Sequence, residues 1–203
     1  MRSIRVVVKL LLFIKSLSNE STRQIGMTPS NFKSGSSNTV VRFALGECAL
    51  GSTLVASSER DVCAIFLGNN PEKLLQDLQN TFLNADIIGA DRDYERLVAK
   101  VVGFIETPAI GLNLPLDIRG TAYQQRVWQA LREIPAGKTL SYSQLAQKIG
   151  KPKAVRAVAS ACAVNKIAVA IPCHRIIRND GALSGYRWGL ARRASLLKKE
   201  SQK

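Results

Sequence analysis

Between Ser141 and Ala163 the chain carries two short helical stretches separated by Gly150-Lys151-Pro152, and this punctuation constrains the fold most. Ser141 can cap a helix that stops at Gly150, and Pro152 sits where the next helix begins, Lys153 to about Ala163. Two short helices joined by such a turn form a helix-turn-helix signature. The second, Ala154-Val155-Arg156-Ala157-Val158-Ala159-Ser160-Ala161, is built of small residues with one long cation, Arg156. A helix that reads base edges would offer Asn, Gln or several Arg. A small-residue helix instead lies close against a groove with little sequence readout, or packs in a core.

Charge favours the groove. The net charge of +14 over 203 residues is unevenly spread. Residues 121–203 hold sixteen basic and three acidic side chains, whereas 36–120 hold seven and eleven. A surplus of thirteen in one segment points to a polyanion, and Lys148, Lys151, Lys153 and Lys166 flank the two helices. The longest apolar run, Val6 to Ile14, falls short of a membrane span and is broken by Lys9.

Residues 40–118 read as a small α/β unit. Val40–Leu45, Ser52–Ala56 and Val62–Leu67 have strand character, with a hairpin turn at Ser58–Asp61. A helix opening at Pro71 puts Leu74, Leu75, Leu78 and Phe82 on one face, and another spans about Asp93 to Ile105. Leu112–Ile118 reads as a last strand. A further helix, Thr121 to Glu133, carries Val127, Ala130, Leu131 and Ile134 inward, with Pro135 and Gly137 ending it.

Four cysteines and one histidine leave no metal-ligand spacing, so no metal and no disulfide framework is expected. Cys48, Cys63 and Cys162 read as small buried hydrophobes. Cys173 differs. It precedes the only histidine, His174, and follows the strand-like run Ile167–Ile171. Arg175, Arg178 and Arg187 should favour its thiolate, the nucleophilic form.

Pro172-Cys173-His174-Arg175 strongly resembles the active-site motif of the O6-alkylguanine-DNA alkyltransferases. So do Arg119-Gly120-Thr121-Ala122, Ser141 to Ala146, Lys151 to Ala163 and Leu183 to Gly189, in the family's order. The resemblance covers residues 40–200 and is greatest to the C-terminal domain of the bacterial adaptive-response proteins. It implies an α+β or α/β fold: a ribonuclease H-like α/β domain at 39–118, then a winged helix-turn-helix domain at 119–203. Residues 1–38 form an extension, of which Gln24–Lys33 resembles the end of an AraC-type DNA-binding domain.

The implied reaction is an irreversible, stoichiometric transfer of an alkyl group from guanine O6, or thymine O4, to Cys173. His174 would act as base through water, Glu200 would polarise it, and Asn165 would fix the geometry. Tyr142, Tyr186, Arg187 and Ile176 would bind the target nucleotide. Arg156, Lys153, Ala157, Ser160 and Arg175 would contact double-stranded DNA, with Arg156 replacing an extruded base. No cofactor, no membrane and no second subunit is implied, and the place of action is the bacterial cytoplasm. Arg187 stands where many members carry a small hydroxyl residue. The other readings are a non-catalytic lesion-recognition protein, a helix-turn-helix regulator and a thiol hydrolase. The first would lack Cys173, the second would need a base-reading helix, and the third has no use for the basic segment.

Overall fold

The computed structural model describes residues 39–183 and 185–202; the expectations for residues 1–38 lie outside them. Three strands form an antiparallel meander: β1 (Thr39–Cys48), β2 (Gly51–Ser57) and β3 (Val62–Gly68). Ser58 N–H donates to the Asp61 carbonyl at 3.0 Å and closes the expected turn. Asn70 caps α1 (Pro71–Thr81) by accepting from Lys73 N–H at 2.8 Å. Leu74 and Leu78 bury its apolar face, each contributing about 1.5–3 kcal/mol.

After α1 comes β4 (Ala85–Gly89), which joins β1 in parallel and gives the sheet order β3-β2-β1-β4. Sequence reading passes over β4, because five residues at an exposed sheet edge carry no alternation. Helix α2 (Arg92–Glu106) follows, with Val98, Val101 and Ile105 buried as the periodicity requires.

Two expected strands are absent. Leu112–Ile118 runs irregularly, with a single bridge between Leu116 and Val62. Pro115 lacks an N–H and cannot donate to a ladder. Ile167–Ile171 likewise makes one bridge, from Ile167 to Ile65. It then coils through Val169, the only described residue other than glycine with positive φ, +60°. The side chain of Asn165 takes the place of a strand partner: its Oδ1 accepts from Ile167 N–H and its Nδ2 donates to the Ile167 and Ile171 carbonyls.

The remainder is helical. Thr121 and Gln124 form a reciprocal capping box at the start of α3 (Ala122–Arg132), and Ser141 with Gln144 repeats it at α4 (Tyr142–Lys148). Gly150, at φ +70°, turns the chain into α5 (Val155–Ala163), two residues later than expected. Trp128 of α3 donates its indole N–H to the Ala161 carbonyl at 2.9 Å and locks α3 to α5. A two-residue parallel pairing of β5 (Leu140–Ser141) and β6 (Ile176–Ile177) fastens this helical region to the segment after Cys173.

Helix α6 (Leu190–Ser201) returns to the sheet end. Arg192 Nε donates to the Leu50 carbonyl at 2.8 Å, and Lys199 pairs at 2.7 Å with Glu106, which also accepts from Ala49 N–H. No helix among the described residues is long and apolar enough to cross a membrane.

Candidate active site

Cys173, His174 and Arg175 form one short 3-10 turn between the coiled segment 165–172 and β6. The coil brings Asn165 against Cys173. Its Nδ2 donates to Cys173 Sγ at 3.2 Å and to the Ile171 carbonyl at 2.9 Å, while the whole side chain is 1% exposed. An amide so fully engaged has one orientation, so the sulfur position is set by the backbone around it.

His174 is completely buried. Its Nε2 lies 2.8 Å from Glu200 Oε1, contributed by α6. With Nε2–H donating to the carboxylate, Nδ1 carries the lone pair, and Nδ1 is bonded to no group among the described residues. Glu200 is held in turn by Arg175, whose Nε reaches Oε2 at 2.9 Å and whose Nη2 reaches Oε1 at 2.8 Å. Gly137 N–H adds a contact at 3.4 Å, and a Cβ on Gly137 would stand 2.8 Å from the Glu200 carbonyl, so the loop approaches only because that residue is glycine.

The electrostatics follow from burial. Burial would raise the Glu200 carboxyl, but hydrogen bonds from His174 and Arg175 outweigh it and hold the carboxyl at about 2. Burial pushes the His174 imidazole down, against the pull of Glu200, so the ring is kept neutral. The Cys173 thiol is pushed up by burial, with Asn165, Arg193 and Arg187 acting in the opposite direction. Of the three cations expected to favour the thiolate, Arg187 does so, while two are engaged elsewhere: Arg175 on Glu200, and exposed Arg178 on Asp180 at 3.1 Å.

Tyr186 stands edge-on to His174, ring centroids 6.5 Å apart, and its buried hydroxyl has no partner among the described residues. Arg187 lies over the Phe66 and Trp188 rings at 5.6 and 5.0 Å. Tyr142 opens α4, partly buried. Ile176 is completely buried in β6 opposite Leu140. Arg175, expected on DNA, is buried in the Glu200 pair, because the carboxylate under it needs a counter-charge. Lys153, Arg156, Ala157 and Ser160 share the exposed face of the turn and α5. The cations Lys153 and Arg156 form no ion pair among the described residues. A cavity of about 160 Å³ lined by Asn165, Lys166, Arg119 and Trp128 does not reach Cys173. No cluster of described side chains could hold a metal ion.

A family model described as 6-O-methylguanine DNA methyltransferase, DNA binding domain, matches residues 122–202. The inducible methylated-DNA–protein-cysteine methyltransferase of Bacillus subtilis is 34% identical over 149 residues, 73% of this chain and 83% of that protein. The chain belongs to the O6-methylguanine-DNA methyltransferase family. The bifunctional transcriptional activator/DNA repair enzyme Ada of Escherichia coli is 56% identical over 178 residues, 88% of this chain but 50% of Ada. The chain therefore spans about half the length of the Ada proteins it matches. The structure of the Mycobacterium tuberculosis family member in complex with DNA is similar at a TM-score of 0.63, with 30% identity over 79% of this chain and 92% of that one.

Two residues of this methyltransferase-family site escape sequence reading. The motif position of Arg175 points to DNA, and Arg193 stands outside every motif. The signal for Arg193 is its spacing: 193, 196 and 200 fall on one face of α6, the buried one.

Proposed function

We propose that the protein repairs DNA by transferring a methyl or other alkyl group from guanine O6, or thymine O4, to Cys173, once per molecule. One observation carries this reading: a buried thiol, fixed by Asn165, adjoins an imidazole whose Nε2 is committed to a clamped carboxylate and whose Nδ1 lone pair is left for a proton. That is the nucleophile, base and orienting acid of covalent catalysis, without a group to release the product from sulfur.

His174 takes the thiol proton through Nδ1, directly or over one water, while Glu200 stabilises the imidazolium. The Cys173 sulfur attacks the alkyl carbon in line. The S–C bond forms as the C–O6 bond breaks, its electron pair passes to guanine, and the guanine takes up one proton from solvent while the imidazolium releases the one it took from the thiol. The products are a thioether and ordinary guanine. In this reading Tyr186 donates a hydrogen bond to the base as that charge arrives, and Tyr142 presses on the target phosphate.

Residues 119–203 serve as the catalytic and DNA-binding unit and 39–118 as its support. A monomer acts on double-stranded DNA in the bacterial cytoplasm. The small-residue face of α5 lies in a groove, Lys153 meets phosphate, and Arg156 fills the stack behind the extruded nucleotide. The net +13 of residues 121–203 supports a backbone-dominated, weakly sequence-dependent affinity.

The test is mass spectrometry after incubation with an O6-methylguanine duplex. One added methyl on the peptide holding Cys173 is the expected result. An unmodified peptide, with the duplex still methylated, rejects the reading.

A further inference from the structure

Helix α6 turns one stripe toward the site: Arg193, Leu196 and Glu200, all buried. Glu200 serves His174. Arg193, 1% exposed, heads the fully buried side chains by size. Its Nε donates to the His174 carbonyl at 3.2 Å, and its Nη1 reaches the Gly185 carbonyl at 3.5 Å. The guanidinium therefore joins the residue after the nucleophile to the residue before Tyr186.

Several charged or titratable groups face the Cys173 sulfur. Asn165 touches it; the Cys162 thiol comes from α5, the Tyr186 phenol and Arg187 from the loop before α6, and Arg193 from α6 itself. His174 follows it in the chain and bonds Glu200 through Nε2, with Arg175 behind the carboxylate. Arg187 is half-buried and laid across two aromatic rings, and Arg175 is engaged by Glu200. Arg193 is the fully buried cation that is bonded to the backbone beside both the sulfur, at His174, and the phenol, at Gly185. A guanidinium keeps its charge at any ordinary pH, and in the interior that charge acts at low effective dielectric, little screened by salt. A brace between two carbonyls requires donors but no permanent charge.

Building on the transfer reaction above, we infer that Arg193 is the electrostatic positioning residue of the site: it stabilises the negative sulfur formed when the Cys173 proton leaves, while pinning the turn and the Tyr186 loop. It donates no proton and forms no bond to substrate. Its charge favours the anionic sulfur and opposes the imidazolium, which Glu200 stabilises instead.

The experiment compares the parent with Arg193→Met, Arg193→Gln and Arg193→Lys. Thiolate formation at Cys173 is followed by ultraviolet absorbance against a Cys173→Ser blank, and single-turnover methyl transfer is measured over the same pH range. In the neutral variants the Cys173 titration moves up by one pH unit or more, and transfer at neutral pH falls about tenfold or more, recovering as pH rises. In Arg193→Lys the midpoint stays at the parent value. A neutral variant that titrates like the parent, whatever its rate, reduces Arg193 to a brace and overturns the inference. If neither neutral variant folds, Arg193→Lys decides alone, since a midpoint raised by a unit despite the retained charge is equally fatal. Absence of methyl transfer in the parent would reject the repair function, yet the thiol titration would still judge Arg193.

Discussion

Arg175 meets Glu200 as a fork, with Nε 2.9 Å from Oε2 and Nη2 2.8 Å from Oε1, while the same carboxylate receives His174 at 2.8 Å. One anion is shared between a permanent cation and a neutral ring, all buried. Arg175→Met leaves that anion with too little compensation. The expected cost is about 3–5 kcal/mol of folding stability, read from urea unfolding. The salt dependence of DNA affinity should not change. A slope reduced by about 0.9 would instead show that Arg175 reaches a phosphate.

Acid should unfold this protein through Glu200. Its carboxyl sits at about 2 in the folded chain against an ordinary 4.5, so the stability it contributes is fully present above 4.5 and is lost as pH falls through 2. His174, held neutral by burial, adds a loss in the same direction as pH falls below its ordinary 6.5. The Glu200→Gln variant, already less stable at neutral pH, should show no further decline between 4.5 and 2 from this carboxyl. Two parallel curves across that window would contradict the assignment.

Cys173→Ser should abolish methyl transfer, since a hydroxyl beside a neutral imidazole is a far weaker nucleophile than sulfur. Binding to an O6-methylguanine duplex should stay within about twofold of the parent, because the change is buried and small. In the parent, transfer should speed up as pH rises beyond neutrality, burial having raised the thiol. A methyl adduct on the Ser variant, at Cys162 for instance, would relocate the nucleophile.

Arg156 is the one long side chain on the exposed face of α5. Arg156→Ala should slow repair of a duplex lesion at least tenfold while sparing reaction with a free O6-alkylguanine base, which needs no extrusion. The energy at stake is the few kcal/mol of lost stacking that a planar guanidinium offsets. Equal loss on both substrates would make Arg156 a support of the fold.

The elements legible in the sequence are those with a local cause. Thr121 and Ser141 announce their helices through capping boxes, and Gly150-Lys151-Pro152 announces the turn. Cys173, His174, Glu200 and Asn165, named from motif resemblance, come together in the structure. What failed was non-local. Ile167–Ile171 has strand composition, but it meets β3 at a single bridge and Asn165 takes the Ile167 N–H and the Ile167 and Ile171 carbonyls. Arg175 is a cation in a basic segment, and nothing nearby in sequence says that its partner is Glu200, 25 positions on.

The grip of Arg192 on Leu50 spans 142 positions, and that of Lys199 on Glu106 spans 93. Loops of that length close late, because their entropy must be met before the contact forms. Helix α6 should therefore dock near the end of folding, bringing Glu200 and Arg193 with it. A nascent chain holds its cysteine without the relay that activates it. Reactivity becomes a readout of completed folding: in a refolding experiment, competence for methyl transfer should appear with the slowest phase, behind the recovery of helical signal.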